Sequence, residues 1–387
     1  MDSKRRLCIV TGSRAEWGLL SPVADALRAS DAFLVDVVAT GMHLSPEFGM
    51  TAASIQQDGY ELAEKVEMLL SSDSGVGVAK SVGLGVIGFS DALARLSPDL
   101  VMVLGDRFEI LSAVTAALFL RIPVAHLCGG DVTEGAFDDS IRHSITKMSH
   151  VHFPSNKDAA RRIICMGERP DRVFAVGSPG VDHLLRLKLM GREALEMDLG
   201  FQFRPRNILA TFHPETLADV SPVDQFAELL AAIETLGPEV GVIFTHPNAD
   251  TQGRALLNMT EAFASSRENV LARSSLGQLR YLSVMNLCDA VVGNSSSGLY
   301  EAPSLKTPTV NIGGRQAGRP KAVSVVDCPA ERTAIVSAVR KAFDLDCSDV
   351  VNPYGDGEAS GRIVRVLREV RDWQSLLRKG FYEELEP

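Results

Sequence analysis

Between Gly129 and His143 the chain reads GGDVTEGAFDDSIRH, which places Asp131, Glu134, Asp138 and Asp139 beside Arg142 and His143. Carboxylates crowded together raise one another's proton affinity, so one can act as an acid while its neighbour acts as a base. Arg142 and His143 stand at helical spacing from Asp138 and Asp139 and are placed to pair with them. Asp138 or Asp139 also suits the cap of a helix, which would account for one of these residues but not for the set. A further carboxylate, Asp106, follows an apolar run in Gly105-Asp106-Arg107. It either points into a site or pairs with the neighbouring arginine.

Anion-binding chemistry lies later in the chain. In Gly293-Asn294-Ser295-Ser296-Ser297-Gly298-Leu299-Tyr300-Glu301 a strand ends, small residues expose backbone N–H groups and a helix begins. Amides, hydroxyls and the helix dipole together suit a phosphate or diphosphate there, although Ser and Asn are also ordinary helix caps. Glu301 would follow one to two helical turns on, at a reach suited to ribose hydroxyls. The next glycine-rich loop carries Arg315, Arg319 and Lys321, whose charges would neutralise a diphosphate. His213 and His246 each precede a proline at the end of a strand. One such histidine is ordinarily structural, and two at equivalent places point to a ligand. Other chemistries find no support. The first turn, Thr11-Gly12-Ser13-Arg14-Ala15-Glu16, is not GxGxxG and gives no support to a dehydrogenase-type dinucleotide site. GxSxG is absent, and the six cysteines form no CxxC pair that would hold zinc.

The elements that must position these residues alternate strand and helix. Apolar runs at Leu7–Val10, Phe33–Thr40, Leu100–Leu104, Pro123–Leu127, Val151–Pro154 and Val173–Val176 read as strands of one sheet. Runs at 207–211, 240–245, 270–273, 290–292 and 309–312 read as a second. Amphipathic or apolar stretches between them, such as Trp17–Arg28 and Phe108–Leu120, read as helices. Strands buried on both faces and separated by helices predict a parallel, doubly wound α/β sheet. Two such domains are expected, 1–183 and 184–360, with a helix over Gly361–Lys379 in the segment 361–387 crossing the domain seam. The informative loops follow the C-terminal ends of strands, where open α/β sheets bind ligands.

Composition narrows the class. The chain has 387 residues, with 45% hydrophobic and 23% charged, which fits a globular protein of two domains and not a disordered or collagenous chain. Its formal charge of −10 makes non-specific nucleic-acid or membrane-surface binding unexpected. Leu7–Val10 is too short for the apolar core of a signal peptide, and Ile110–Leu120 too short to span a bilayer. Scattered thiols suit a reducing compartment, so a cytoplasmic protein is expected.

Taken together, SRAEWGLL (13–20), GDRFE (105–109), GGDVTEGAFDDSIRHSITKMSH (129–150), GSPGVD (177–182), FHPET (212–216), THPNAD (245–250), GNSSSGLYEAP (293–303) and GGRQAGR (313–319) resemble the hydrolysing UDP-N-acetylglucosamine 2-epimerases of bacterial sialic-acid and legionaminic-acid pathways. The resemblance runs over essentially the whole chain. It implies two Rossmann-like domains facing across a cleft, the GT-B architecture. It also implies conversion of UDP-GlcNAc and water to ManNAc and UDP through a 2-acetamidoglucal, without cofactor or metal, in a homodimer or homotetramer. By the same resemblance Asp106, Asp138, Asp139 and Arg142 match the acid/base and sugar-orienting set and His213 a cleft residue of the second domain; Asp131 and Glu134, on the same loop, are further acid/base candidates. Arg14, Glu16, His246, Asn248, Gly293, Asn294, Ser295, Ser296, Ser297, Glu301, Arg315 and Arg319 belong to the UDP and sugar contacts. One residue departs from the pattern: Cys128 stands where many relatives carry a histidine before Gly-Gly. Related readings are the same chemistry on a GDP- or UDP-linked 2,4-diacetamido sugar and a non-hydrolysing epimerase. A GT-B glycosyltransferase or a sugar-nucleotide sensor would not need the crowded carboxylates.

Overall fold

The computed structural model describes residues 4–72, 74–132, 138–214, 221–245, 253–273 and 276–383. The chain divides into two compact units, Met1–His183 together with Tyr354–Pro387, and Leu184–Pro353. The first unit is built on strands β1 (Arg5–Thr11), β2 (Phe33–Thr40), β3 (Leu62–Val66), β4 (Leu100–Leu104), β5 (Val124–Leu127) and β6 (Val151–Phe153). They pair in parallel in the order β3-β2-β1-β4-β5-β6. The second unit holds β7 (Arg206–Thr211), β8 (Val240–Thr245), β9 (Val270–Arg273), β10 (Ala290–Gly293), β11 (Thr309–Ile312) and β12 (Val325–Cys328). Their order is β12-β11-β10-β7-β8-β9, again all parallel. Counted within each unit the two orders are the same, the doubly wound Rossmann order.

Period-two alternation explains how each sheet is covered. Leu7 and Ile9 of β1 pack with the helices Arg14–Ala29 and Ala359–Glu369. Cys8 and Val10 face the other way, onto the helices Gly75–Leu96 and Phe108–Phe119. Burial on both sides is what the unbroken apolar runs required, and each fully buried Ile or Leu contributes about 1.5–3 kcal/mol. The helix Gly75–Leu96 is long and apolar enough to cross a membrane by length and composition, a feature that the run Ile110–Leu120 does not share. Here it lies on the sheet, with Phe89, Ala92, Leu93 and Leu96 in the same cluster as β1 and β4.

Four elements differ from the sequence reading. The sequence gives no sign of β3 and β12, each at one edge of its sheet, because LAEKV and VVDC carry polar residues and are only partly buried. The opposite edges, β6 and β9, read as strands; β6 is buried throughout. Val173–Val176 is not a strand; Val173 makes a single bridge to His152. The C-terminal helix ends at Glu369 rather than Lys379, and a short 3₁₀ turn follows over Gln374–Leu377. Tyr354–Pro387 belongs to the first unit. The Asp182 carboxylate accepts from Ala359 N at 3.0 Å and Ser360 N at 2.6 Å, which caps the start of that helix.

A buried carboxylate fastens the tail. Glu168 is 2% exposed and accepts from Lys147 Nζ at 2.6 Å, from Lys379 Nζ at 2.7 Å and from His152 Nε2 at 3.0 Å. Burial alone would raise its pKa, but the three donors outweigh that and draw it down to about 2. A carboxylate with a depressed folded pKa stabilises above its unfolded value, and loses that effect as pH falls through the folded one. Glu168→Gln is therefore expected to lower unfolding free energy at neutral pH by about 3–5 kcal/mol. The gap to wild type should close as pH falls from the unfolded value of 4.5 towards 2, measured by urea denaturation across that range.

Candidate active site

In the first sheet the strand order reverses between β1 and β4, and the loops leaving those strands and β5 carry the charged residues. Arg142, on the helix Asp138–Met148, is the centre of this set. Its Nη1 donates to the Asp131 carbonyl at 2.7 Å and to Asp139 Oδ1 at 2.9 Å, and its Nη2 donates to Asp106 Oδ2. Two carboxylates thus share one guanidinium whose side chain is 8% exposed. His143 Nε2 lies 3.3 Å from the second oxygen of Asp139. Asp138 makes no ion pair among the described residues. Burial and then the charge of Asp106 raise its pKa, against the opposing pull of Arg107 and Arg142. The arrangement therefore separates the carboxylates chemically: Asp106 and Asp139 are ion-paired, while Asp138 is biased towards holding a proton.

Asp131 is turned another way. Its carboxylate accepts from Ser155 Oγ at 3.3 Å and Asn156 Nδ2 at 3.2 Å, at the start of the helix Lys157–Cys165. Gly130 before it has φ +78°, and a Cβ there would come within 2.4 Å of the Ala159 carbonyl oxygen, so only glycine brings this loop so close to that helix. Cys128 is half-buried, and burial followed by the charges of Asp131 and Asp106 pushes its thiol up to about 12. It stays protonated at neutral pH and is no base.

Beside this set lies a second pair of carboxylates. Glu16 caps its own helix, with Oε2 accepting from Gly12 N at 2.6 Å while Ser13 Oγ accepts from Glu16 N at 3.3 Å. Burial, against that hydrogen bond and helped by Glu109, raises Glu16 to about 7. Glu109 is fully buried and accepts from Arg107 Nη2 at 3.0 Å. Glu16 Oε1 and Glu109 Oε2 have no hydrogen-bond partner among the described residues. Arg14, at the first position of the same helix, is exposed and makes no hydrogen bond among the described residues.

The second unit repeats the device with different side chains. Its order reverses between β7 and β10. Gly293 ends β10 at φ +135°, where a Cβ would sit 1.9 Å from the Thr211 carbonyl oxygen, so no other residue fits. Asn294 is fully buried and clamps the loop after β7: its Oδ1 accepts from His213 N at 2.7 Å and its Nδ2 donates to His213 O at 2.8 Å. Its own carbonyl accepts from Arg315 Nη1 at 3.0 Å and Gln316 Nε2 at 2.8 Å. Gln316 Oε1 in turn accepts from Arg319 Nη1 at 2.8 Å. Ser297 Oγ lies 2.5 Å from Tyr281 Oη and 3.1 Å from Ser295 Oγ, and no side-chain cap comes from Ser296. The helix opened here is one turn, Ser297–Tyr300, shorter than the sequence suggested, and Glu301 lies at its junction with a 3₁₀ turn. Burial raises Glu301 to about 7, and its Oε2 has no partner among the described residues. A ligand hydroxyl would supply the missing donor.

The structure thus brings Asp106, Asp138, Asp139 and Arg142 together in the first unit. It brings His213, Asn294, Ser295, Ser297, Arg315 and Arg319 together in the second. Glu134, His246 and Asn248 lie outside the described residues. Sequence reasoning passed over His126, Glu109, Tyr281 and Gln316. The signal for His126 was a histidine inside the apolar strand Val124-Ala125-His126-Leu127, just before the charged loop. Among the described residues no three His, Cys, Asp or Glu side chains are grouped to hold a metal ion.

Two parallel sheets of Rossmann order, each with its polar loops at the switch point, define a two-domain α/β protein of the GT-B type. Residues 25–368 match the UDP-N-acetylglucosamine 2-epimerase family, and the chain belongs to that family. It is 39% identical over 326 residues, 84% of each chain, to a GDP/UDP-N,N'-diacetylbacillosamine 2-epimerase (hydrolyzing) of Campylobacter jejuni. It is 36% identical over 383 residues to the polysialic acid biosynthesis protein P7 of Escherichia coli, covering 98% of this chain and 97% of that one. Among solved structures, UDP-GlcNAc 2-epimerase of Neisseria meningitidis bound to UDP-GlcNAc superposes with a TM-score of 0.74 at 20% identity, over 94% of this chain and all of that one.

The Asn294 clamp has a measurable consequence. Asn294→Ala removes both of its hydrogen bonds to the buried His213 backbone, at about 1–3 kcal/mol for each lost bond. The expected result is a lower urea midpoint for the second unit, while Asn294→Asp, which keeps the acceptor, loses less.

Proposed function

We propose that this chain is a hydrolysing 2-epimerase of a nucleotide-linked 2-acetamido sugar. The observation that carries the reading is the first-unit set: Arg142 shared by Asp106 and Asp139, with Asp138 beside them making no ion pair among the described residues. Such a set can take a proton at one carboxyl and give one at another. In the reaction, a base removes the proton at sugar carbon 2 and the bond from carbon 1 to the diphosphate breaks, leaving a glycal. Water then adds across the double bond, its hydroxyl to carbon 1 and a proton to the opposite face of carbon 2. Asp106, ion-paired to Arg142, suits the base; Asp138, with its raised proton affinity, suits the acid. The diphosphate role falls to Ser295, Ser296 and Arg315, and the ribose role to Glu301, whose unfilled Oε2 supports it.

UDP-GlcNAc, giving ManNAc and UDP, is the substrate that the sequence resemblance favours. The Campylobacter relative supports a 2,4-diacetamido sugar on UDP or GDP as the second reading. Proton NMR in D2O with each sugar nucleotide separates them. Free nucleoside diphosphate, with the 2-epimer carrying deuterium at carbon 2, is expected for one of them. UDP-linked 2-epimer without free UDP would move the chain to non-hydrolysing chemistry, and unchanged spectra with both would overturn the reading. Asp106→Asn and Asp138→Asn are each expected to lower kcat by about 10²–10⁴. Cys128→Ala, lacking only a neutral thiol, should keep kcat within about threefold, since no proton passes through that thiol.

The same reading carries a homo-oligomer. Val76, Leu84 and Ile87 of one helix and Leu118, Phe119 and Leu120 at the end of its neighbour are exposed, which supports association through the first unit. Light scattering should show a dimer or tetramer, and Ile87→Glu should shift it towards monomer.

A further inference from the structure

His126 is the fully buried residue that joins the parts of the first-unit site. Its Nε2 lies 2.8 Å from the carbonyl oxygen of Gly105, the residue before Asp106. Its Nδ1 lies 3.2 Å from Thr146 Oγ1, on the helix that carries Arg142. A carbonyl only accepts, so Nε2 holds the ring proton; Nδ1 is then an acceptor, and the one Thr146 hydroxyl proton is shared between it and the Arg142 carbonyl oxygen at 3.0 Å. Arg142 closes the circuit by donating to Asp106 Oδ2. The ring is packed from the loop side as well, because a Cβ on Gly129 would come within 2.8 Å of Nδ1 and 2.9 Å of Thr146 Oγ1. Burial depresses the imidazole to about 3, and the positive charges of Arg142 and of His152 and His143 when protonated push the same way. The imidazole therefore stays neutral wherever the carboxylates work.

We propose that His126 is a positioning residue: through one hydrogen bond to the Gly105 carbonyl and one to Thr146, it sets the spacing between Asp106 and the Arg142-bearing helix. It touches no reacting atom. Gly105, the residue before Asp106, is held at its carbonyl by His126, and the Asp106 carboxylate is held by Arg142, so loss of the ring would let the β4 turn move relative to the helix while the rest of the sheet stays in place. The catalytic consequence rests on the sugar-nucleotide reading above; the tautomer and the bonds do not.

Three substitutions grade the connection. His126→Gln keeps a donor near the Nε2 position and retains the Gly105 bond; His126→Asn reaches only the Thr146 side; His126→Leu keeps neither. Expected kcat falls in the order wild type, Gln, Asn, Leu, with about a 100-fold loss for Leu, the order that a misplacement of ~1 Å produces. KM and UDP affinity should stay within about threefold, because the second-unit loops are untouched. Thr146→Val should lower kcat and Thr146→Ser restore it. A folded His126→Leu with wild-type kcat, or a rise in KM at constant kcat, would overturn the proposal. The wild-type protein gives a test independent of turnover and of how the variants fold. Long-range ¹⁵N–¹H spectra should show His126 as the Nε2–H tautomer, still neutral at about pH 5, where an ordinary imidazole is protonated. The Nδ1–H tautomer, or a protonated ring at that pH, would overturn it. No turnover of any sugar nucleotide by wild type, with the tautomer as expected, would sink the proposed reaction and leave the two bonds standing.

Discussion

One guanidinium holds the first-unit site in shape. Arg142 is nearly buried, and a buried cation is stable only when its charge and its donors are met. Asp106 and Asp139 meet the charge, and the Asp131 carbonyl takes a further donor. Without the arginine, Asp106 and Asp139 would both lose the donor that they share. The ends of β4 and β5 and the start of the helix Asp138–Met148 are all tied to this one side chain, so the site cannot be altered one residue at a time.

Both units use the same topological device and fill it differently. At the switch point of the first sheet the loops present carboxylates and arginines suited to moving protons. At the equivalent point of the second they present an amide clamp, serine hydroxyls and two arginines suited to an anion. The scaffold supplies the position, since strand order decides where loops diverge, and loop side chains supply the chemistry. Glycines stand where backbones must nearly touch. Gly293 beside Thr211 is the extreme case, and it brings β7 and β10 close enough for Asn294 to reach across.

Much of this was legible in the chain. Central strands are buried on both faces and therefore read as unbroken apolar runs; Phe33–Thr40, Leu100–Leu104, Val240–Thr245 and Thr309–Ile312 were placed to the residue. The edge strands Leu62–Val66 and Val325–Cys328 are only partly buried and carry polar residues, so they looked like loops, whereas the buried edge strand Val151–Phe153 was legible. The grouping of Asp138, Asp139 and Arg142 followed from helical spacing alone. Their link to Asp106 did not, because it depends on β4 and β5 being neighbours, which no local pattern states. Glu16 shows a different limit: the Ser13-Arg14-Ala15-Glu16 spacing is that of a capping box, and only burial beside Glu109 makes it more than that.

The first unit is assembled from two stretches of chain, with the whole of the second inserted between His183 and Tyr354. During synthesis the second unit is therefore complete before the first. Until the last segment leaves the ribosome, the Asp182 carboxylate lacks the amides of Ala359 and Ser360, and Glu168 lacks the ammonium of Lys379. The apolar face of the helix Arg14–Ala29, covered in the finished protein by Ile363 and Leu367, stays open for the same interval. The half of the molecule that is made first is thus the half that is finished last.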